Sequence, residues 1–133
     1  MAQMNWLAVL VAAFVGFLVA SFWYGPLFGR SWLRVAGVRD QGLDEVKPEV
    51  LYGGTLFLSL ISAIFVGHLL ANFPGRPAHV YLMITSGIGV GFIFPALAIR
   101  SLHSRKSPKM LLIDSIGWIL YYLAMGAVFI LLG

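Results

Sequence analysis

Four stretches of this chain, each roughly twenty residues long and almost free of charge, restrict its fold more than any other feature. At 1.5 Å rise per residue each run is long enough to cross the hydrocarbon as a helix. The expected spans are residues 5–24, 51–72, 79–102 and 110–132, and the fold class is an all-α integral membrane protein with four transmembrane helices. With 60% of residues hydrophobic and 11% charged, nothing is left over for a soluble domain, so residues 1–133 form a single four-span membrane domain. The first apolar run begins at Asn5 with no basic residue before it. A retained span is therefore expected rather than a cleaved signal peptide.

Charge gives the orientation. Arg30, Arg34, Arg39 and Lys47 follow the first run, and Arg100, Arg105, Lys106 and Lys109 follow the third, whereas the opposite side carries Arg76 alone. By the positive-inside rule the loops at 25–50 and 103–109 are cytoplasmic and both termini external, as in a bacterial inner (cytoplasmic) membrane protein. The net charge of +4 raises the question of nucleic acid, but the basic residues lie beside apolar runs and fit a membrane surface instead. The chain has no cysteine, which removes disulfides, thiol nucleophiles and zinc–thiolate sites.

The first exit, Phe22–Arg34 (FWYGPLFGRSWLR), has the chemistry of a helix leaving a bilayer. Trp23 and Tyr24 stand at headgroup depth, Gly25-Pro26 breaks the backbone, and Arg30, Trp32 and Arg34 reach anionic lipid together with Arg105 and Lys106. A short interfacial helix over 28–38 is expected after the first span. Small residues recur every four positions at Ala12, Gly16 and Ala20 and again at Ser59, Ala63 and Gly67, the spacing that lets helices approach closely. The turn at 73–79 is short, making spans 2 and 3 antiparallel neighbours. Span 3 crowds Gly87, Gly89 and Gly91 ahead of Pro95, where a kink is expected. It exits as FIFPALAIRS, a faint echo of WYGPLFGRS.

With Asn5-Trp6 opening the first span, WYGPLFGRSW closing it, Pro95 in the third and Trp118 in the last, the chain resembles the family catalogued as domain of unknown function 1761. The resemblance covers essentially the full length and rests most on Trp23, Tyr24, Pro26, Phe28, Gly29, Arg30 and Trp32. It implies a four-helix bacterial membrane architecture and no particular activity.

Asp114 is the one acidic residue inside any span, roughly 7 Å past Lys109 by helical rise. A carboxylate at that depth needs a partner, for which Arg100 across the short loop is the first choice, and it is either a proton or cation site or a structural clasp. Trp118, Tyr121, Tyr122 and Met125 follow on one helical face. Near mid-bilayer their polar tips need partners, and they either line a cavity for a small apolar or cationic ligand or simply pack. His68 and His79 lack a third ligand type, so no metal site and no cofactor are expected. GIGVG follows no strand and reads as close helix contact rather than a nucleotide loop.

No catalytic constellation emerges from these residues, and an enzyme or cofactor carrier is the least favoured class. The first functional expectation is a transporter- or channel-like homo-oligomer with a small-molecule or ion site around Asp114, Arg100, Trp118, Tyr121 and Tyr122. The alternative is a structural or accessory membrane protein that binds anionic lipid or a partner through its basic loops.

Overall fold

A computed structural model describes residues 5–27, 47–104 and 108–132. Four helices are long and apolar enough to cross a bilayer, and no strand occurs among the described residues, so the chain is an all-α integral membrane protein. The first span is a helix over Trp6–Phe22 that widens into a π turn at Trp23–Leu27. The second is Pro48–Ala71, with Pro48 in the first turn, where its missing N–H costs nothing. The third runs through Ala78–Ile88, a second π turn at Gly89–Ile93 and Phe94–Ser104. The fourth is Pro108–Leu132. The interfacial helix expected at 28–38 lies outside the described residues.

Asn5 ties the start of the first span to the end of the fourth. Its side-chain oxygen accepts from the Ala8 N–H at 3.2 Å and caps the first helix, while its Nδ2 donates to the Leu132 carbonyl at 2.7 Å. The start of span 1 and the end of span 4 therefore share one side. At the turn, Gly75 adopts a left-handed φ of 72° and the Tyr81 hydroxyl donates to the Phe73 carbonyl at 2.6 Å, fastening span 3 to the end of span 2.

Small residues set the helix contacts. Ala12, Gly16 and Ala20 are all buried, as are Ser59, Ala63 and Gly67, so both small-residue stripes face other helices. A Cβ at Gly67 would lie 3.0 Å from both Val9 of span 1 and Phe129 of span 4. A Cβ at Gly16 would lie 2.6 Å from the tip of Met125 and 3.0 Å from the Tyr121 ring. Spans 1 and 4 thus form the centre, with span 2 laid along span 1 and span 3 along span 4. Spans 2 and 3 are joined by the short turn yet touch little along their length. Adjacency in sequence does not make them packing neighbours here. Each is drawn to a central helix by its own small residues, Ala63 and Gly67 on one side and Gly89 on the other.

Both π turns accompany a proline. Pro26 stands within the first and Pro95 two residues after the second. A proline offers no N–H to the carbonyl four residues before it, and widening the turn is one way a helix accommodates the loss. In span 3 the Phe94 N–H reaches back five residues to the Gly89 carbonyl. The echo between the two exits is therefore also structural, although its partners differ.

Within GIGVG the glycines divide. A Cβ at Gly89 would sit 2.9 Å from the Ile119 Cα, a backbone atom that no rotamer change can move, whereas Gly87 and Gly91 face open space. Gly89→Ala is therefore expected to cost about 1–3 kcal/mol through overpacking. Gly87→Ala or Gly91→Ala should be neutral or gain up to about 1 kcal/mol from helix propensity. Reversible unfolding of the three variants in mixed micelles checks this ordering.

Candidate functional site

The π turn that ends span 1 delivers two consecutive aromatic side chains to one neighbour. In an α-helix successive side chains fan out by about 100°, and a wider turn narrows that fan. The Trp23 indole N–H donates to the Ile113 carbonyl at 2.8 Å, and the Tyr24 hydroxyl donates to Asp114 Oδ1. Consecutive residues of one helix are thus held by consecutive residues of the other. Trp23 reaches the carbonyl only because residue 117, one turn on, is glycine. A Cβ there would lie 2.4 Å from the indole nitrogen.

Asp114 is 7% exposed. The Tyr24 hydroxyl meets it from across the bundle, and Arg100 stands with it on the wall of a cavity of about 50 Å³ lined also by Leu97, Met110 and Leu111. That volume is far below what an organic ligand needs. Next to it the Ser115 hydroxyl is buried with no hydrogen-bond partner among the described residues.

An aromatic series continues from this clasp toward mid-membrane. The Trp118 ring lies 6.2 Å from Tyr24 and meets Tyr121 edge to face at 4.9 Å, and Tyr121 meets Tyr122 in the same way at 5.0 Å. Tyr121 is 3% exposed, and its hydroxyl donates to Ser59 Oγ at 2.9 Å, which satisfies a polar tip in hydrocarbon and pins span 2 to span 4. The Tyr122 hydroxyl has no hydrogen-bond partner among the described residues.

Because spans 2 and 3 diverge, a cleft opens between them with this aromatic series as its floor. The half nearer the basic loops has a volume of about 410 Å³ and is lined by Thr55, Ile93, Leu97, Trp118 and Tyr121 among others. The half nearer the turn, about 500 Å³, is lined by Phe65, His68, Asn72 and Ile88. Ser62 and Tyr122 line both halves and mark where they meet.

Of the residues singled out in the sequence, Asp114, Tyr24, Trp23 and Trp118 come together in one cluster, and Tyr121 and Tyr122 extend it. Trp23 and Tyr24 were expected among the lipid contacts, and the structure turns both toward span 4. Arg30, Trp32, Arg34, Arg105 and Lys106 lie outside the described residues. His68 and His79 are exposed, and no group of three metal-ligating side chains exists among the described residues. The sequence reading missed Gly117 and the bond between Ser59 and Tyr121. A glycine four residues after Ile113 and directly before Trp118 was the available signal for the first.

Removing either member of the Tyr24–Asp114 pair takes one buried, charge-assisted hydrogen bond from the other. Tyr24→Phe and Asp114→Ala are each expected to lower stability by about 1.5–3 kcal/mol. The double variant should fall well short of the sum, as a double-mutant cycle in mixed micelles would show.

No curated protein and no solved structure matches the chain. The model of one family, described as "Protein of unknown function (DUF1761)", matches residues 7–130, nearly the whole chain from the first span to the last. The four-span protein built around this clasp and cleft belongs to that family.

Proposed function

We propose that this protein is a small transporter-type membrane protein that takes an amphiphilic ligand sideways from the bilayer into the cleft between spans 2 and 3. One observation carries the reading. The cleft lies within the apolar length of the helices, opens toward lipid, and presents at its midpoint the Tyr122 hydroxyl, which has no hydrogen-bond partner among the described residues. A polar tip at that depth is costly unless something in the cleft meets it. The volumes fall in the range of small-molecule sites, and the floor of Trp118, Tyr121 and Tyr122 gives apolar area with a few placed polar groups.

A lateral opening fits entry from the bilayer better than conduction of ions through a water-filled pore. Asp114, held by Tyr24, acts in this reading as the lock on the closed side of the bundle, and the site proper is the face from Trp118 to Tyr122. The eight Lys and Arg beside the first and third exits, against Arg76 alone, support a cytoplasmic face at 25–50 and 103–109 in a bacterial inner membrane. Gly87 and Gly91, one turn apart with open space where side chains would be, support a homo-oligomer formed through the outer face of span 3.

A long-chain alcohol with a diazirine near its terminus tests the cleft in lipid nanodiscs. Photolabelling is expected on Ile93, Leu97, Trp118 or Tyr122 in clear excess over Phe92, a lipid-facing residue of the same span that is 73% exposed. Ser62→Trp, which fills the joint between the two halves, should reduce cleft labelling about tenfold, equivalent to about 1.4 kcal/mol. Labelling no greater in the cleft than on Phe92 overturns the proposal.

A further inference from the structure

Span 3 is anchored along one half only. On the side of its π turn nearer Ala78, two close contacts bind it to span 4. Thr85 is fully buried, and a Cβ at Gly126 would lie 2.4 Å from its Oγ1. Gly89, one turn on, rests against the Ile119 backbone. Beyond Gly89 the character of the span changes. None of the eleven residues of Phe94–Ser104 is buried. Leu97, Arg100, Ser101 and Ser104 share the cavity of about 50 Å³ with Met110, Leu111 and Asp114, so the two helices do not close on each other there.

A joint separates the two halves. The Phe94 N–H reaches back five residues to the Gly89 carbonyl, and Pro95 has no N–H to give the Gly91 carbonyl. Gly87 and Gly91 have open space where side chains would be, so packing within the chain calls for neither. Each lowers helix propensity by about 1 kcal/mol relative to alanine. A widened turn, a proline and two loosely packed glycines concentrate the deformability of the span between residues 87 and 95.

The arm beyond this joint walls the cleft half nearer the basic loops with Ala96 and Leu97, and Thr55 and Leu58 of span 2 stand on the other side. These walls can meet without stranding a polar group. The Thr55 hydroxyl already donates to the Leu51 carbonyl at 2.7 Å, and Ala96 is small enough to let two helices approach. Residues 105–107 link the far end of the arm to span 4. Four extended Cα steps reach at most about 14 Å, against about 9 Å between packed helix axes, so this link permits several ångströms of travel. In the other half of the cleft the wall from span 3 is Ile88, next to the anchored Gly89, and that half has no such freedom.

Resting on the cleft reading above, we infer that Phe94–Ser104 is a lid that swings about 89–93 toward span 2 and shuts the half of the cleft nearer the basic loops. The half nearer the turn keeps its shape. A closed lid cuts the floor at Trp118 off from lipid, and the reverse swing reopens it.

The chain has no cysteine, so introduced pairs report on the whole protein in lipid nanodiscs without background. Spin labels at Phe57→Cys with Ile99→Cys follow the lid against span 2, and labels at Phe65→Cys with Met83→Cys follow the anchored half; all four positions are exposed. Double electron–electron resonance is expected to give two distances several ångströms apart for the first pair and one for the second. Gly91→Ala with Pro95→Ala, which stiffens the joint, should reduce the first pair to one distance in a protein that remains folded. A single narrow distance for the first pair in the unstiffened protein, or two distances that survive stiffening, overturns the lid. Leu58→Cys with Ala96→Cys tests closure itself. A disulfide needs Cα atoms within about 7 Å, and spans 2 and 3 touch little along their length, so its formation reports the swing. Oxidation should lower labelling of Trp118 and Tyr122 by the diazirine alcohol about tenfold, with recovery on reduction. Failure of the disulfide to form, or labelling unchanged by it, overturns closure. If the alcohol labels the cleft no more than Phe92 before oxidation, the cleft reading falls, while the spin-label distances still decide whether the arm moves.

Discussion

In lipid, helices gain nothing from hiding apolar surface from one another, so their association rests on close packing and on polar groups that have no better partner. Here that role falls to the pair of bonds from Trp23 and Tyr24 to Ile113 and Asp114. Two adjacent bonds fix both the height and the rotation of span 1 against span 4, which one bond does not. With that register set, Tyr121 and Met125 fall onto Gly16. Tyr121 is then presented to Ser59, so the clasp at one end also determines where span 2 meets the centre of the bundle.

The arrangement is uneven in a way that matters for the cleft. Spans 1 and 2 form one helical hairpin and spans 3 and 4 another, and both first members widen into a π turn beside a proline. Were the hairpins equivalent, the contact between spans 2 and 3 would mirror that between spans 1 and 4. Instead the second pair is closed by the clasp and the first stands apart. The difference follows from the side chains: span 1 brings Trp23 and Tyr24 to a helix with a glycine and a carboxylate in register. Span 3, at its own proline, has Phe92 and Phe94 pointing largely to lipid and gives span 2 nothing equivalent.

The fold was legible because its signals are physical quantities summed over many residues. Four uncharged runs gave four helices, and the stripes at Ala12–Gly16–Ala20 and Ser59–Ala63–Gly67 lie on packed faces. For the site, the sequence offered candidate residues without their pairings. Asp114 stood out because a carboxylate inside a span demands an explanation, and Trp118, Tyr121 and Tyr122 because they share its face. The pairing was not readable. Arg100 is the obvious match for Asp114 along the chain, and Tyr24 was spoken for as a headgroup anchor by its neighbours Trp23 and Pro26. Which of these roles an aromatic takes depends on the rotation of one helix about its axis, and a single π turn changes that rotation without leaving a mark in composition. That spans 2 and 3 touch little along their length was hidden for a similar reason, since a short turn constrains two helix ends and not the packing of their bodies.

The same geometry accounts for the presence of tyrosines, rather than phenylalanines, in the floor of the cleft. A phenylalanine at 121 would pack against Gly16 as well, yet it would leave Ser59 buried without the donor it now accepts from. At 122 the hydroxyl bonds none of the described residues, so packing among them gives no reason for it. Tyr121 on Ser59 and Thr85 on the Tyr81 carbonyl show how other polar tips in the bundle find partners, and the Tyr122 hydroxyl on the cleft wall differs from them in having none among the described residues.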